Sequence, residues 1–465
     1  MAKSEIRSAK DSKIPLILLA VLVFSKILLS PLGGLDELWN YNLCRGVAMG
    51  YVPYRDFSMV MMPLFTLLFS IPLMVVRKLI VYRITSAVFL YILVRTFHKI
   101  AVKMTDTLWG LVASCLFVFF MDIATYNALV VLIILILYKI LCREMTRGGA
   151  FLAGVLCAFG ILSRQTTGVF LAVAVTAIFI KSKAKRKHFA TFTGGGALIL
   201  LCFLLYLVVT DSFFAFWDCC LFALLAPGDK NSAFYPNAIP PVILCLGGIA
   251  LDIKSWKKSH KEEDILHLIL GAVIITIGIP IVDMMHLCYA AVWFFLPMVK
   301  LLHDSPKAQI KPAVVKLLVG LASGAVMLLN LYGLMGTELK NSYREFVLIP
   351  SPSGFIDSYN ELIVTNDLCK AKGRRVAVYS SSSCVISIMQ DEFNPPYDLF
   401  LNGNLGTKEP LSFVEADCAD PDVVILLPVD YDTENWENPK GVKEYIESHC
   451  VPAASYGRFL WYVPS

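Results

Sequence analysis

The chain has 465 residues, of which 57% are hydrophobic and only 17% charged, with a formal net charge of +5 and a mean hydropathy of +0.67. Soluble domains carry about one quarter charged residues, so this balance excludes an ordinary soluble protein. The small basic excess is concentrated in short loops, and no nucleic-acid-binding module is present.

Long apolar runs recur along the chain, at residues 14–29, 59–76, 79–94, 108–121, 128–141, 169–180, 197–209, 265–282, 290–302 and 314–335. Each is long enough, or nearly so, to cross a hydrocarbon core of ~30 Å as a helix. Backbone in lipid must satisfy its own hydrogen bonds, which predicts an all-α polytopic membrane protein of about eleven to thirteen transmembrane helices. The first run follows Lys3, Arg7, Lys10 and Lys13, and the residues after it contain no A-x-A-like cleavage site. It reads as a retained helix with its N-terminus in the cytoplasm.

Residues 31–58 form the first predicted outward loop. Asp36 and Glu37 open it. Leu38, Tyr41, Leu43, Val47 and Ala48 follow with partly helical spacing, and Trp39 and Tyr41 suit a membrane interface, so this segment is expected to lie along the surface. Residues 50–54 make a turn. Tyr54, Arg55 and Asp56 come next, ahead of Pro63, which opens the following apolar run. Arg45 reads as an interfacial charge.

Basic clusters at residues 143–147, 181–188, 254–261 and 307–316 predict cytoplasmic loops. The segments between them, 122–127, 163–168, 210–237 and 283–286, then face outward. One region resists: Arg77-Lys78 and the basic stretch 95–103 both favour the cytoplasm, with one apolar run between them. Among the outward residues, Arg164 and Gln165 interrupt two apolar runs, where a phosphate pocket and a snorkelling arginine on a polar turn are both open readings. Asp122 is either a second acidic site or a helix cap. His286 is either a substrate contact or a structural residue. Residues 210–237 carry Phe213, Phe214, Phe216, Trp217, Phe222, Phe234 and Tyr235, an interfacial helix or a platform for a lipid chain or sugar.

From about residue 338 the chain turns polar. Short strands are expected at 375–380, 422–427 and 458–463 and an amphipathic helix at 441–449, a small extracytoplasmic α/β domain over 338–465 after a transmembrane domain over 1–337. The thirteen cysteines are mostly scattered singly through apolar runs, where cysteine acts as a small hydrophobe. Cys369, Cys384, Cys418 and Cys450 lie in the tail and could pair if it is extracytoplasmic, with no connectivity readable. The triple glycine 194–196 reads as the start of a closely packed membrane helix.

Asp36-Glu37 after the first helix, the short surface helix, "GYVPYRDF" and Pro63 together resemble the GT-C class of membrane glycosyltransferases, in its aminoarabinose-transferase and protein O-mannosyltransferase branch. The motif covers about thirty residues, while the layout covers the whole chain. The resemblance implies an enzyme of the EC 2.4 class at the plasma membrane that transfers a sugar, with inversion, from a polyprenyl phosphate donor to a glycan, lipid or protein acceptor in the cell envelope. It makes Asp36 the general base, with Glu37 and Asp56 positioning the acceptor or giving oxygen ligands to a divalent cation such as Mg or Mn. Tyr54, Arg55, Arg164, Gln165, Asp122 and His286 would bind substrate. The family's basic residue and double proline are replaced here by Met61-Met62-Pro63, which moves any phosphate contact to Arg55 or Arg164. The alternative is a transporter or flippase of lipid-linked sugars. Transporters place ionisable residues at mid-membrane and often show inverted repeats. Here charge clusters at one face and no repeat is visible, which favours the enzyme.

Overall fold

With no water in hydrocarbon to bond to, the apolar runs can bury their peptide groups only as helices. The computed structural model describes residues 13–32, 35–222, 233–279, 281–305, 310–338, 346–352, 363, 367, 369, 373–380, 383–395, 397–400, 404–429, 431, 438–456 and 459–465. Among them, five helices are long and apolar enough to cross a membrane: Leu79–Met104, Phe189–Val209, Pro236–Ser259, Met284–His303 and Pro312–Leu334. Seven shorter apolar helices of 10–17 residues accompany them. The protein is a helical membrane protein with a small C-terminal sheet.

The chain divides into two compact units. One comprises Met1–Ser30, Arg83–Phe203 and Ser232–Met335, and the other Pro31–Tyr82, Leu204–Asn231 and Gly336–Ser465.

In the first unit the helices are α1 (Ile14–Leu29), most of α4 (Leu79–Met104), α5 (Thr107–Phe120), α6 (Tyr126–Leu141), α7 (Arg147–Ser163), α8 (Gln165–Lys181), the start of α9 (Phe189–Val209), α11 (Ile239–Ser259), α12 (Glu262–Ile275), α13 (Met284–Trp293), α14 (Phe295–His303) and α15 (Pro312–Leu334). Small residues set the closest contacts, as expected where lipid supplies no hydrophobic drive. A Cβ on Gly154 of α7 would lie 1.9 Å from the Phe192 carbonyl oxygen of α9, and one on Gly195 would lie 2.3 Å from that of Phe151. The triple glycine thus makes the expected close packing, but inside α9 rather than at its start. Three acids open α12, where the helix dipole favours them, and each binds a lysine from another helix. Glu262 pairs with Lys185, Glu263 with Lys103 at 2.6 Å, and Asp264 with Lys300 at 3.1 Å.

The second unit holds α2 (Leu35–Ala48), α3 (Leu64–Leu73), α10 (Phe213–Trp217) and the C-terminal domain. The run at 59–76, expected as a crossing, is corrected here. Its helix has only 10 residues, with Pro63 at its start and Pro72 inside, and spans about 15 Å, half the hydrocarbon thickness. Residues 79–104 form one 26-residue helix, so Arg77-Lys78 and the basic stretch 95–103 lie at its opposite ends.

The predicted tail elements appear as β1 (Arg375–Val378), β2 (Val423–Pro428), α18 (Val442–His449) and β4 (Phe459–Pro464). Not anticipated were α16 (Ser383–Met389), α17 (Pro410–Cys418) and β3 (Cys450–Tyr456). The sheet order is β1-β2-β4-β3, with β1 and β2 parallel and the other pairs antiparallel. Its core includes Ala377, Tyr379, Val414, Val423, Ile425, Leu427, Val442, Ile446 and Tyr462.

Candidate active site

The candidate residues fall in both units. Asp36, Glu37, Tyr54, Arg55 and Asp56 belong to the second, and Asp122, Arg164, Gln165 and His286 to the first.

Asp36 and Glu37 occupy the first turn of α2, where unpaired N–H groups and the helix dipole favour carboxylates. Successive residues on a helix point about 100° apart. Asp36 is accordingly exposed and Glu37 buried. The Asp36 carbonyl accepts a hydrogen bond from Asn40 Nδ2 at 2.7 Å, which steadies that turn.

The other end of α2 is tied to the C-terminal domain. Arg45, expected as an interfacial charge, is fully buried. Its Nη1 donates to Asp391 Oδ1 at 3.1 Å, its Nε and Nη2 to Asn42 Oδ1 at 3.2 and 3.0 Å, and Nη2 also to the Glu392 carbonyl. Asn42 Nδ2 donates to Asp398 Oδ2 at 3.0 Å. Asp398 also accepts from the Asn394 N–H at 2.9 Å and from Ser387 Oγ. Burial pushes the Asp398 carboxyl above its ordinary range, against the pull of these donors. The Phe393 ring lies where a Cβ on Gly46 would be, 2.7 Å away. Arg77 reaches Asp391 as well, at 3.7 Å.

The turn after α2 is densely hydrogen-bonded. Gly50 has φ +98° and Tyr54 φ +70°, a left-handed conformation that is uncommon for a bulky residue and costs about 1–3 kcal/mol. Several contacts hold it. The Tyr54 N–H donates to the Phe57 carbonyl at 2.9 Å, its hydroxyl donates to the Met61 carbonyl at 2.8 Å, and its ring meets the edge of Phe216 at 5.2 Å. Asp56 Oδ2 accepts the Val52 N–H at 2.7 Å. Arg55 grips the same carboxylate with Nε and Nη2, both at 2.8 Å. That bond, aided by the Val52 amide, holds the Asp56 carboxyl below its ordinary value. Further on, the Val60 N–H donates to Asn404 Oδ1 at 3.1 Å, a second tie to the C-terminal domain.

In the first unit, Asp122 is exposed and accepts its neighbour's amide, Ile123 N–H, at 2.8 Å. The residue capping α6 is Thr125. Lys26 donates to the Phe119 carbonyl nearby and feels the Asp122 charge. Arg164 is buried between α7 and α8. Its Nη1 donates to Asn127 Oδ1, its Nη2 to the carbonyls of Ile277 and of Ile279, the latter at 3.0 Å, and its guanidinium sits 5.5 Å from the Tyr126 ring centroid. Gln165 starts α8 and is half-buried. His286 is held by Asp283, which caps α13 and accepts both His286 N–H at 2.7 Å and Nδ1 at 2.8 Å.

No group of three or more His, Cys, Asp or Glu side chains able to hold a metal ion comes together among the described residues, and both Asp56 oxygens are already engaged. The aromatic segment forms α10 and a π-turn at Asp218–Phe222, with Phe214 and Phe222 exposed. Phe234 lies outside the residues whose side chains are described.

Sequence reasoning missed Asn42, Asp391, Asp398, Asn404 and Lys26, and read the buried Arg45 as an interfacial charge. The contacts of Asn42 and Arg45 run to partners 346 to 356 residues away, and no local pattern signals such a pair.

No protein-family model matches the sequence, and no curated protein matches it. Solved structures do. ArnT from Cupriavidus metallidurans in the apo state is similar at a TM-score of 0.62, with 11% identity and 98% of each chain covered. The same protein bound to undecaprenyl phosphate gives 0.59, at 11% identity over 97% of each chain. The archaeal oligosaccharyltransferase AglB from Archaeoglobus fulgidus, in complex with an inhibitory peptide and a dolichol-phosphate, gives 0.53 at 11% identity, covering 97% of this chain and 74% of that one. The likeness to ArnT covers 98% of this chain and shows a shared fold.

Proposed function

Starting from that shared fold, we propose that the protein is a GT-C-type glycosyltransferase that moves a sugar from a polyprenyl phosphate to a cell-envelope acceptor outside the membrane. The observation that carries this reading is Asp36, an exposed carboxylate in the first turn of α2, in the loop that follows the first helix. Two similar structures hold a polyprenyl-type phosphate, undecaprenyl phosphate in ArnT and dolichol-phosphate in AglB. The lipid-linked donor is carried over from them as part of the proposal.

In this reading Asp36 takes the proton of the acceptor hydroxyl as that oxygen attacks the anomeric carbon. The bond from the anomeric carbon to the phosphate oxygen breaks on the opposite side, and configuration inverts. The leaving phosphate needs a cation. Of the two arginines named from the sequence, Arg55 suits this role better. Two of its five N–H donors are fixed on Asp56 and its side chain is exposed. Asp56 then serves as the group that aims Arg55. Arg164 spends its two terminal nitrogens on Asn127, Ile277 and Ile279, and serves to brace the turn that precedes α13.

The short α3 supports one topology. With α3 on the outer surface, α1 leads out and α4 leads back. Arg77-Lys78 then sits outside, where Asp391 compensates Arg77, and residues 95–103 sit in the cytoplasm. Continuing through α5 to α9, α11, α12, the α13–α14 pair and α15 makes about eleven crossings and leaves the C-terminal domain outside.

The test uses purified full-length protein and a set of undecaprenyl-phosphate-linked hexoses and pentoses. Wild type is expected to release undecaprenyl phosphate from at least one donor in the presence of envelope glycolipid. Asp36→Asn is expected to slow release by about 10²–10⁴-fold, the usual contribution of a general base. Turnover at the wild-type rate by Asp36→Asn would remove Asp36 from this role.

A further inference from the structure

Four cysteines lie in the C-terminal domain, and two of them meet. Cys418 ends α17 and Cys450 opens β3. They are 32 residues apart, and their Sγ atoms are 3.3 Å apart. Both belong to one buried core cluster, with Val414, Val442 and Ile446. We propose that Cys418 and Cys450 are joined by a structural disulfide in the mature protein. This rests on the reading that the C-terminal domain is extracytoplasmic, because only there is a thiol pair kept oxidised.

The geometry needs little change. A disulfide bond is about 2.05 Å long, so the sulfurs must approach by about 1.2 Å, within reach of a small side-chain rotation. The bond would staple the end of α17 to the first residue of β3, the strand at the edge of the sheet. A domain this small has a limited core, and covalent staples are the usual supplement in oxidising compartments.

The chemistry balances with one co-reactant, an extracytoplasmic thiol–disulfide oxidoreductase in its oxidised form. One thiolate attacks the oxidoreductase disulfide and forms a mixed disulfide. The second thiolate attacks the bound cysteine sulfur, forms the Cys418–Cys450 bond and expels the oxidoreductase as a dithiol. Two S–H bonds are lost here, and the two electrons and two protons end on the oxidoreductase. Burial pushes the Cys418 thiol up to about 12, so the exchange belongs to folding, before the core closes over the pair.

The experiment takes intact cells, labels amines with a membrane-impermeant reagent, then lyses and denatures them in excess N-ethylmaleimide. Peptides of the full-length protein are read by mass spectrometry without reductant. The expected result is a linked pair of peptides containing Cys418 and Cys450, separated by a phosphine reductant, together with label on the exposed Lys440. Finding both cysteines alkylated while Lys440 is labelled overturns the disulfide and leaves the topology standing. Finding both alkylated and Lys440 unlabelled overturns the outward placement of the domain, and the disulfide falls with it. In the linked protein, a Cys418→Ser/Cys450→Ser double variant is expected to melt at a lower temperature, and added reductant to lower the wild-type Tm by the same shift.

Discussion

Arg45 and Asp391 are 346 residues apart in sequence and 3.1 Å apart in space. The two ends of that pair are unlike: the Arg45 side chain is 0% exposed and that of Asp391 46%. A half-exposed partner is screened by solvent, so the ion pair itself contributes little. The weight rests on the buried contacts of the same guanidinium, to Asn42 and the Glu392 carbonyl. Asp391→Ala is therefore expected to cost about 0–1 kcal/mol. Arg45→Ala strands buried polar partners and is expected to cost about 3–5 kcal/mol. Denaturant unfolding of the purified protein in detergent checks the ranking, and equal losses would put the energy in the ion pair instead.

The same residue marks the limit of what the sequence discloses. The long apolar helices, the tail strands at Arg375–Val378, Val423–Pro428 and Phe459–Pro464, and the helical form of the segment after Asp36 follow from local periodicity, a property of neighbouring residues. The expected surface position of that helix does not, since most of it is buried. Arg45 reads like any charge near a membrane because two of its three acceptors, Asp391 and the Glu392 carbonyl, come from the far end of the chain. Residues 59–76 failed for a different reason. Hydropathy measures apolar content, and Pro63 and Pro72 decide where a helix starts and how far it runs. In the candidate site, Asp36 and the Tyr54–Asp56 turn were legible as motif. The pairing of Arg55 with Asp56, and the commitment of Arg164 to carbonyls, were not, since a sequence names donors without their acceptors.

The Arg55–Asp56 pair predicts a pH dependence. The folded Asp56 carboxyl is held below its unfolded value of 3.8 by the Arg55 hydrogen bond first and the Val52 amide after it. The ionised carboxylate therefore adds stability above the carboxylate range, and that contribution disappears as pH falls through the folded value. The Tm difference between wild type and Asp56→Asn should be full from neutral pH down to about pH 4 and narrow as pH falls from about 4 toward about 2. A difference that stays constant over that range would mean the carboxylate charge plays no part in holding the turn.

If Arg55 meets the donor phosphate, its planar fork matters as well as its charge. Lysine keeps the charge but cannot hold Asp56 with two donors while presenting others. Arg55→Lys is expected to raise the KM for an undecaprenyl-phosphate sugar by about tenfold, the size of one charged hydrogen bond, with kcat less affected. Asp36→Asn should show the opposite split, a fall in kcat with KM nearly kept. Steady-state kinetics on the two variants separates a binding role from a proton-transfer role.

The glycines of the first unit give the sharpest steric test. Alanine normally improves a helix over glycine by about 1 kcal/mol. At Gly154 that gain is overwhelmed, because the new Cβ would sit 1.9 Å from the Phe192 carbonyl oxygen, a backbone atom that cannot swing aside. The helices α7 and α9 would have to separate, losing the close contacts that hold membrane helices together. Gly148, at the start of the same α7, has nothing within 4 Å of its would-be Cβ. Gly154→Ala is thus expected to destabilise by about 1–3 kcal/mol, as overpacking does, while Gly148→Ala is neutral or slightly stabilising. Thermal unfolding of both variants in the same detergent decides it, and a Gly154→Ala protein as stable as wild type would show that α7 and α9 do not approach this closely.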